Sequence, residues 1–257
     1  MRHSKFMMVS GLACSMIAGA ASGGTYVWNW DRGGPGTSGL NDNGGRFESI
    51  DATFDTATKR LTWSVTFSDQ VTQGFTLAVN NGPNPKGHAG ELALLYVDAR
   101  NAGDVKLTAY AYNGLNTSTS WKDGNGAVSG NQTADIVKNT LQRSSWVNSA
   151  SVTDHDGKRT IAFDIDTTDL ENHTPMYPDA VDPWYGFAFA EKIGLWMHPY
   201  RTFNPSYGEG GELVGLSTAA EGWFDGSNFN TTSVPTPGAA VLGAMGGLCF
   251  VRRRRAS

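Results

Sequence analysis

The clearest signal in the chain is an unbroken alternation of apolar and polar positions. Within 60–68, Leu61, Trp63, Val65 and Phe67 fall on one face and Thr62, Ser64 and Thr66 on the other. A period of two marks a half-buried strand. Ile50, Ala52 and Phe54 alternate in the same way before a turn at 55–59, so the two runs predict a hairpin. Positions 75–79 predict another half-buried strand, and 92–97, apolar on both faces, a central one. Positions 105–112 place Lys106, Thr108, Tyr110 and Tyr112 on one side. A second hairpin is predicted over 152–165, across His155, Asp156 and Gly157, and further strands at 184–189 and 192–197. The run 134–141 predicts one short helix with Thr133 as its N-cap. Many short strands with polar outer faces predict an all-β fold, a two-sheet antiparallel β-sandwich of jelly-roll-like type.

Both ends break this pattern. Residues 1–23 read as a signal peptide, with Arg2, His3 and Lys5 ahead of an apolar stretch and Ala18-Gly19-Ala20 as a small-residue cleavage site. Cleavage is expected after Ala20, with Gly23 as the second candidate. At the other end, Val234-Pro235-Thr236-Pro237 precedes an uncharged apolar run, 238–251, and then Arg252, Arg253, Arg254 and Arg255. As a helix the apolar run spans roughly 21 Å, short of the ~30 Å hydrocarbon core. The arginines would snorkel to the headgroups and hold the C-terminus on the cytoplasmic side. The alternative, a C-terminal helix packed on the domain, gives the arginine tetrad no packing role. The predicted organisation is a signal helix at 1–23, a sandwich ectodomain at 24–227, a polar linker at 228–233 that lifts the domain off the membrane, and a tail at 234–257.

Removing the ends changes the charge. Six of the 20 Lys and Arg lie in the two end segments and none of the 24 Asp and Glu, so the part between carries 14 basic against 24 acidic residues, a net charge of −10. That excludes nucleic acid and anionic membrane as natural partners and leaves neutral glycans or cations. The two cysteines, Cys14 and Cys249, also sit in the ends. The domain therefore has no disulfide and no cysteine-based zinc site.

The tail, Pro-x-Pro then a short apolar helix then a terminal arginine cluster, resembles the PEP-CTERM sorting signal of exported bacterial proteins. Thr236 stands where that family has Glu. The resemblance covers residues 234–257 and implies export, transient anchoring, recognition by an exosortase-like protease, and release to the cell surface or an exopolysaccharide matrix. The implied partners are the export machinery, signal peptidase and the sorting protease. A second stretch, including Gly82-Pro83-Asn84-Pro85-Lys86-Gly87-His88-Ala89-Gly90-Glu91, resembles a module recurrent in such proteins, to which no activity attaches.

Chemistry is sparse. The chain holds no metalloprotease helix motif, phosphate loop or nucleophile elbow. Nor do its few glutamates form the strand pattern of sandwich-fold glycanases. The turn from Glu209 to Glu212 reads as solvated; His88, three residues before Glu91, and His198, next to Pro199, read as satisfied loop histidines, with orientation of a ligand as the alternative. No cofactor is expected. Calcium is a weak candidate, through Asp154 and Asp156, near Asp164, Asp166 and Asp169, although Asp156-Gly157 reads more simply as a turn. The aromatics argue best for binding. All eight Trp lie between the end segments, and Tyr26, Trp28 and Trp30 alternate on one strand face, with Tyr110 and Tyr112 on a face otherwise polar. Such rows suit sugar rings, and equally fill sandwich cores. Trp63 and Trp196 are assigned to the core. The expectation is a non-enzymatic surface or matrix protein; the alternatives are an exopolysaccharide-binding module or a polysaccharide-active enzyme.

Overall fold

The computed structural model describes residues 24–80, 93–111, 135–139, 143–171, 193–211, 213–226 and 232–235. The signal peptide, the tail beyond Pro235, the segment with His88 and Glu91, Tyr112 and the 184–189 strand lie outside the described residues. What is described is nearly all β. The chain runs through β1 (Gly24–Asp31), β2 (Thr37–Asn41), β3 (Phe47–Asp55), β4 (Arg60–Phe67), β5 (Gly74–Asn80), β6 (Ala93–Asp98) and β7 (Lys106–Ala111). It continues through β8 (Asp135–Lys138), β9 (Val147–His155), β10 (Lys158–Asp166), β11 (Gly194–Tyr207), β12 (Leu213–Glu221), β13 (Trp223–Gly226) and β14 (Thr232–Pro235). Two four-residue helices, α1 (Arg143–Trp146) and α2 (Thr168–Glu171), flank the β9–β10 hairpin.

These strands form two antiparallel sheets. The first has the order β14-β1-β3-β4-β10-β9. The second runs β2-β13-β11-β5-β6-β7-β8, with β12 also paired to β11. Both predicted hairpins form. The second turns at Asp156 and Gly157, both with positive φ (50° and 77°), the two-residue geometry whose twist suits a hairpin.

The alternation in the sequence becomes a dry layer between the sheets. Leu61, Trp63, Val65 and Phe67 point into it from β4, and Ile50, Ala52 and Phe54 from β3. Trp30 packs on Trp63 at 6.0 Å between ring centroids, and Trp63 stacks on Phe163 at 6.2 Å. Phe47 of the first sheet stacks on Phe224 of the second at 4.0 Å, joining the layers.

Three expectations need correction. The run 135–138 is a strand, not a helix: its backbone pairs with β7, with Tyr110 opposite Ile136. The demand of β7 for an edge partner outweighs weak local helix propensity. Strand β5 is buried on both faces rather than one. Its outer face carries Ala78, which with Tyr96 packs against Leu213 and Leu216 of β12, so the β11–β12 hairpin folds back over the second sheet. Finally, residues 232–233 are not a free linker. They belong to β14, which pairs with β1 so that Gly24 faces Pro235 and Tyr26 faces Ser233.

One junction fixes β11, β12 and β13 relative to the turn after β2. A Cβ on Gly44 would lie 1.8 Å from the Pro199 carbonyl oxygen, and one on Gly222 2.4 Å from the Asn41 carbonyl oxygen. The Gly222 amide donates to the Pro199 carbonyl at 2.9 Å. Three backbones meet where no side chain fits. Gly44→Ala is expected to lower the unfolding free energy by about 1–3 kcal/mol. Gly24→Ala, whose Cβ meets nothing within 4 Å, should change it by less than about 0.5 kcal/mol. Urea unfolding midpoints measure both, and equal midpoints would contradict the junction.

Candidate binding surfaces

Pairing register decides which side chains reach the surface. On the first sheet the residues between the core positions line up across strands. One row is Asn29, Asp51, Ser64, Ala162 and Ser151; the next is Val27, Thr53, Thr62, Asp164 and Ser149. All of these except Ser151 line an open cleft of about 350 Å³. Its polar groups are partly bonded to one another. Asn29 donates to Asp51, and the Thr53 and Thr62 hydroxyls share a hydrogen bond. Asp164 accepts from Arg60 through two guanidinium nitrogens and from Asn148 at 3.0 Å. Burial pushes the Asp164 carboxyl up. The hydrogen bonds from Arg60 and Asn148, with the Arg60 charge, outweigh it and hold the group below the usual carboxylate range. The cleft thus offers hydroxyls, an amide and two carboxylates already engaged. A general acid would need a carboxyl shifted the other way.

The expected aromatic row is not at this surface. Trp28 and Trp30 are buried in the core, with Tyr26 half-buried against it. They fall on the core side because β1 pairs with β3 so that Trp28 opposes Ala52, Trp30 opposes Ile50 and Tyr26 opposes Phe54. Asn29, read as an intervening polar residue, reaches the cleft together with Val27. Trp63 is in the core, as its alternation predicts, whereas Trp196 is half-buried on the far face. Tyr110 lies on β7 opposite Leu94.

The calcium candidates are also taken up elsewhere. The Asp154 carboxylate receives two bonds from Arg159, at 2.8 and 2.7 Å, which lower its pKa. Asp156 sits exposed in the hairpin turn beside His155. Among the described residues, no group of three or more His, Cys, Asp or Glu is placed to hold a metal ion. Of the tail motif, Val234 and Pro235 lie in β14, opposite Thr25 and Gly24. Thr236, Pro237 and the four arginines lie outside the described residues. Among the described residues, no helix is long and apolar enough to cross a membrane.

The second sheet carries a cluster that sequence reasoning missed. Trp196, His198 and Tyr200 alternate on the outer face of β11. Trp196 meets His198 edge-on at 4.2 Å, and Tyr200 shares a 3.2 Å hydrogen bond with Thr76. Burial raises the Tyr200 phenol well above its ordinary value. His198 is thus a strand residue, and its Nδ1 contacts the Glu221 carboxylate. Its Nε2 is buried without a hydrogen-bond partner among the described residues. Next to Glu221, across Gly222, stands Trp223, the exposed large hydrophobic side chain of the described residues. Positions 198 and 221 are far apart in sequence; only the run Trp196, His198, Tyr200 was legible as an alternating aromatic face.

No family model and no curated protein matches the chain. Among solved structures, the chain is similar to one from work on pH-induced modulation of Streptococcus parasanguinis adhesion by Fap1 fimbriae, at 15% identity over 80% of this chain and 96% of that one, with a TM-score of 0.26. A likeness at that level says nothing about function.

The lowered pKa of Asp164 sets a pH test. A depressed carboxyl contributes stability that is present above its unfolded value, near 3.9, and is lost as pH falls through its folded value. Asp164→Asn should therefore be less stable than wild type at neutral pH, and the gap in urea midpoint should shrink as the pH falls below about 4. A gap that stays constant over that range would show that the carboxylate charge contributes nothing.

Proposed function

We propose that this chain is an exported surface protein, carried out by its N-terminal leader, held briefly in the membrane by its tail and released by an exosortase-like protease to the cell surface or extracellular matrix. Its role there is structural and non-enzymatic. The observation that supports this most is the pairing of β1 with β14, which sets Gly24 opposite Pro235. The first strand after the leader pairs at the sheet edge with β14, which takes in the first two residues of the tail, Val234 and Pro235. One folded unit is therefore bounded on both sides by the two segments that read as export signals, with no length of chain between its last strand and the Pro-x-Pro motif. The two carboxylates lining the cleft support a non-enzymatic role, since both are tied to neighbouring side chains.

A second reading, binding of exopolysaccharide, is favoured by the cleft itself. Rows of Ser, Thr and Asn spaced by strand pairing present hydroxyl and amide groups to a polyhydroxylated chain.

Fractionating cells that express wild type and a variant with Arg252, Arg253, Arg254 and Arg255 changed to Ala tests the sorting reading. Wild type should lose the tail mass and reach the surface or medium, and the variant should remain unprocessed with the membrane. Identical mass and location for the two would refute it.

A further inference from the structure

We infer that β9 is a dimerisation edge, where two copies of this chain pair their β9 strands antiparallel about Ser151 and join their first sheets into one. This surface is separate from any use of the cleft and does not depend on the polysaccharide reading. The described paths of the two sheets end in four strands, β14, β9, β2 and β8. Three of them are short, which blunts a sheet edge. β14 and β8 have four residues each, one with Pro235 and the other with Lys138, and β2 has five. β12, off these paths, folds back over the second sheet. β9 has nine residues and carries no Pro, Lys or Arg. Among the described residues it pairs with β10 alone. Its ladder is irregular only near its first end, at Asn148, and regular from Ser149 to His155. An edge of that length presents a row of backbone N–H and C=O groups to a further strand.

The residues of β9 select the occupant. Ser149-Ala150-Ser151-Val152-Thr153 reads the same in both directions as polar, apolar, polar, apolar, polar. A twofold interface demands that self-complementarity; a strand from a different protein does not. Antiparallel pairing about Ser151 sets Ser149 opposite the partner's Thr153, Ala150 opposite the partner's Val152, and Ser151 opposite the partner's Ser151. Ala150 and Val152 are only half-buried, packed against the core at the open edge. In the dimer each gains an apolar neighbour across the axis, which extends the dry layer. Ser149, Ser151 and Thr153 are exposed. They form hydroxyl pairs of the kind the sheet already holds between Thr53 and Thr62 and between Thr66 and Thr160. No charged side chain lies within 147–153, and Asp154 is held by Arg159. Like charges therefore do not oppose each other at the axis, although the domain carries a net charge of −10.

Cysteine cross-linking tests the axis directly, since the domain has no cysteine of its own. In the full chain with Cys14→Ser and Cys249→Ser, purified in mild detergent, Ser151→Cys should oxidise to a disulfide-linked dimer. Directly opposed residues have Cα atoms about 4.5–5.5 Å apart, inside the disulfide range of about 4.4–6.8 Å. Thr153→Cys, also at an exposed position, should not cross-link to itself, because the two copies of residue 153 lie roughly 14 Å apart in this register. Mixed with Ser149→Cys, it should give the heterodimer. Sedimentation equilibrium in density-matched detergent should give the dimer mass for wild type and for Ser151→Thr. It should give the single-chain mass for Ser151→Lys, which opposes two ammonium groups at the axis. Circular dichroism melts verify that each variant is folded. A single-chain mass for wild type overturns the inference and leaves the edge to a different partner. A dimeric Ser151→Lys, or equal cross-linking of Ser151→Cys and Thr153→Cys, overturns it as well.

Discussion

Everything in this domain depends on a dry aromatic layer pressed between two sheets. The chain between the end segments has no cysteine, so no covalent staple assists it. Trp28, Trp30, Trp63 and Trp146 are all buried there, with Phe residues from both sheets between them. Truncating any one of these large side chains would remove both transfer energy and packing, typically about 3–5 kcal/mol, which is a large fraction of a domain's net stability. The stacking of Phe47 on Phe224 ties the sheets together near the junction of Gly44, Pro199 and Gly222. The layer leaves the outer faces free to vary. One became a polar cleft; the other is partly sealed by the β11–β12 hairpin and partly left open at Trp223.

Strand β11 carries the second of these outcomes. Its first half pairs with β5 and β13, and its second half continues beyond them to pair with β12. The extension folds back, so that Tyr207 donates to Asp98 at 3.0 Å and stands under the Lys106 ammonium. Burial and the Asp98 charge both raise the Tyr207 phenol, which keeps it a neutral donor. This local polar anchoring holds β12, and with it Glu221, beside His198.

The parts legible in the sequence were those with strict alternation over a whole strand. The runs at 61–67 and 50–54 fixed their own core faces, and Asp156-Gly157 announced its turn. Alternation alone does not say which face is inward when both faces carry plausible groups: Trp28 and Trp30 looked like a platform until pairing with β3 set them opposite Ile50 and Ala52. Strand β12, rich in Gly, Ser, Thr and Ala, has too little apolar contrast to announce itself, and β14, four residues long, is too short to show a period of two and resembles a polar linker. The Asp164 network escaped notice for a different reason, because Arg60 lies 104 residues away from it in the chain.

The two ends of the domain meet in the sheet, and the proposal of an exported domain bounded by its own sorting signals turns on that meeting. Hydrogen-exchange mass spectrometry of the full chain reads it directly. The account predicts that amides in 232–235 exchange more slowly than an unstructured peptide, together with those of 24–27, and that deleting residues 24–27 removes the protection of 232–235. Full exchange of 232–235 at the unstructured rate, while β3 and β4 stay protected, would contradict it.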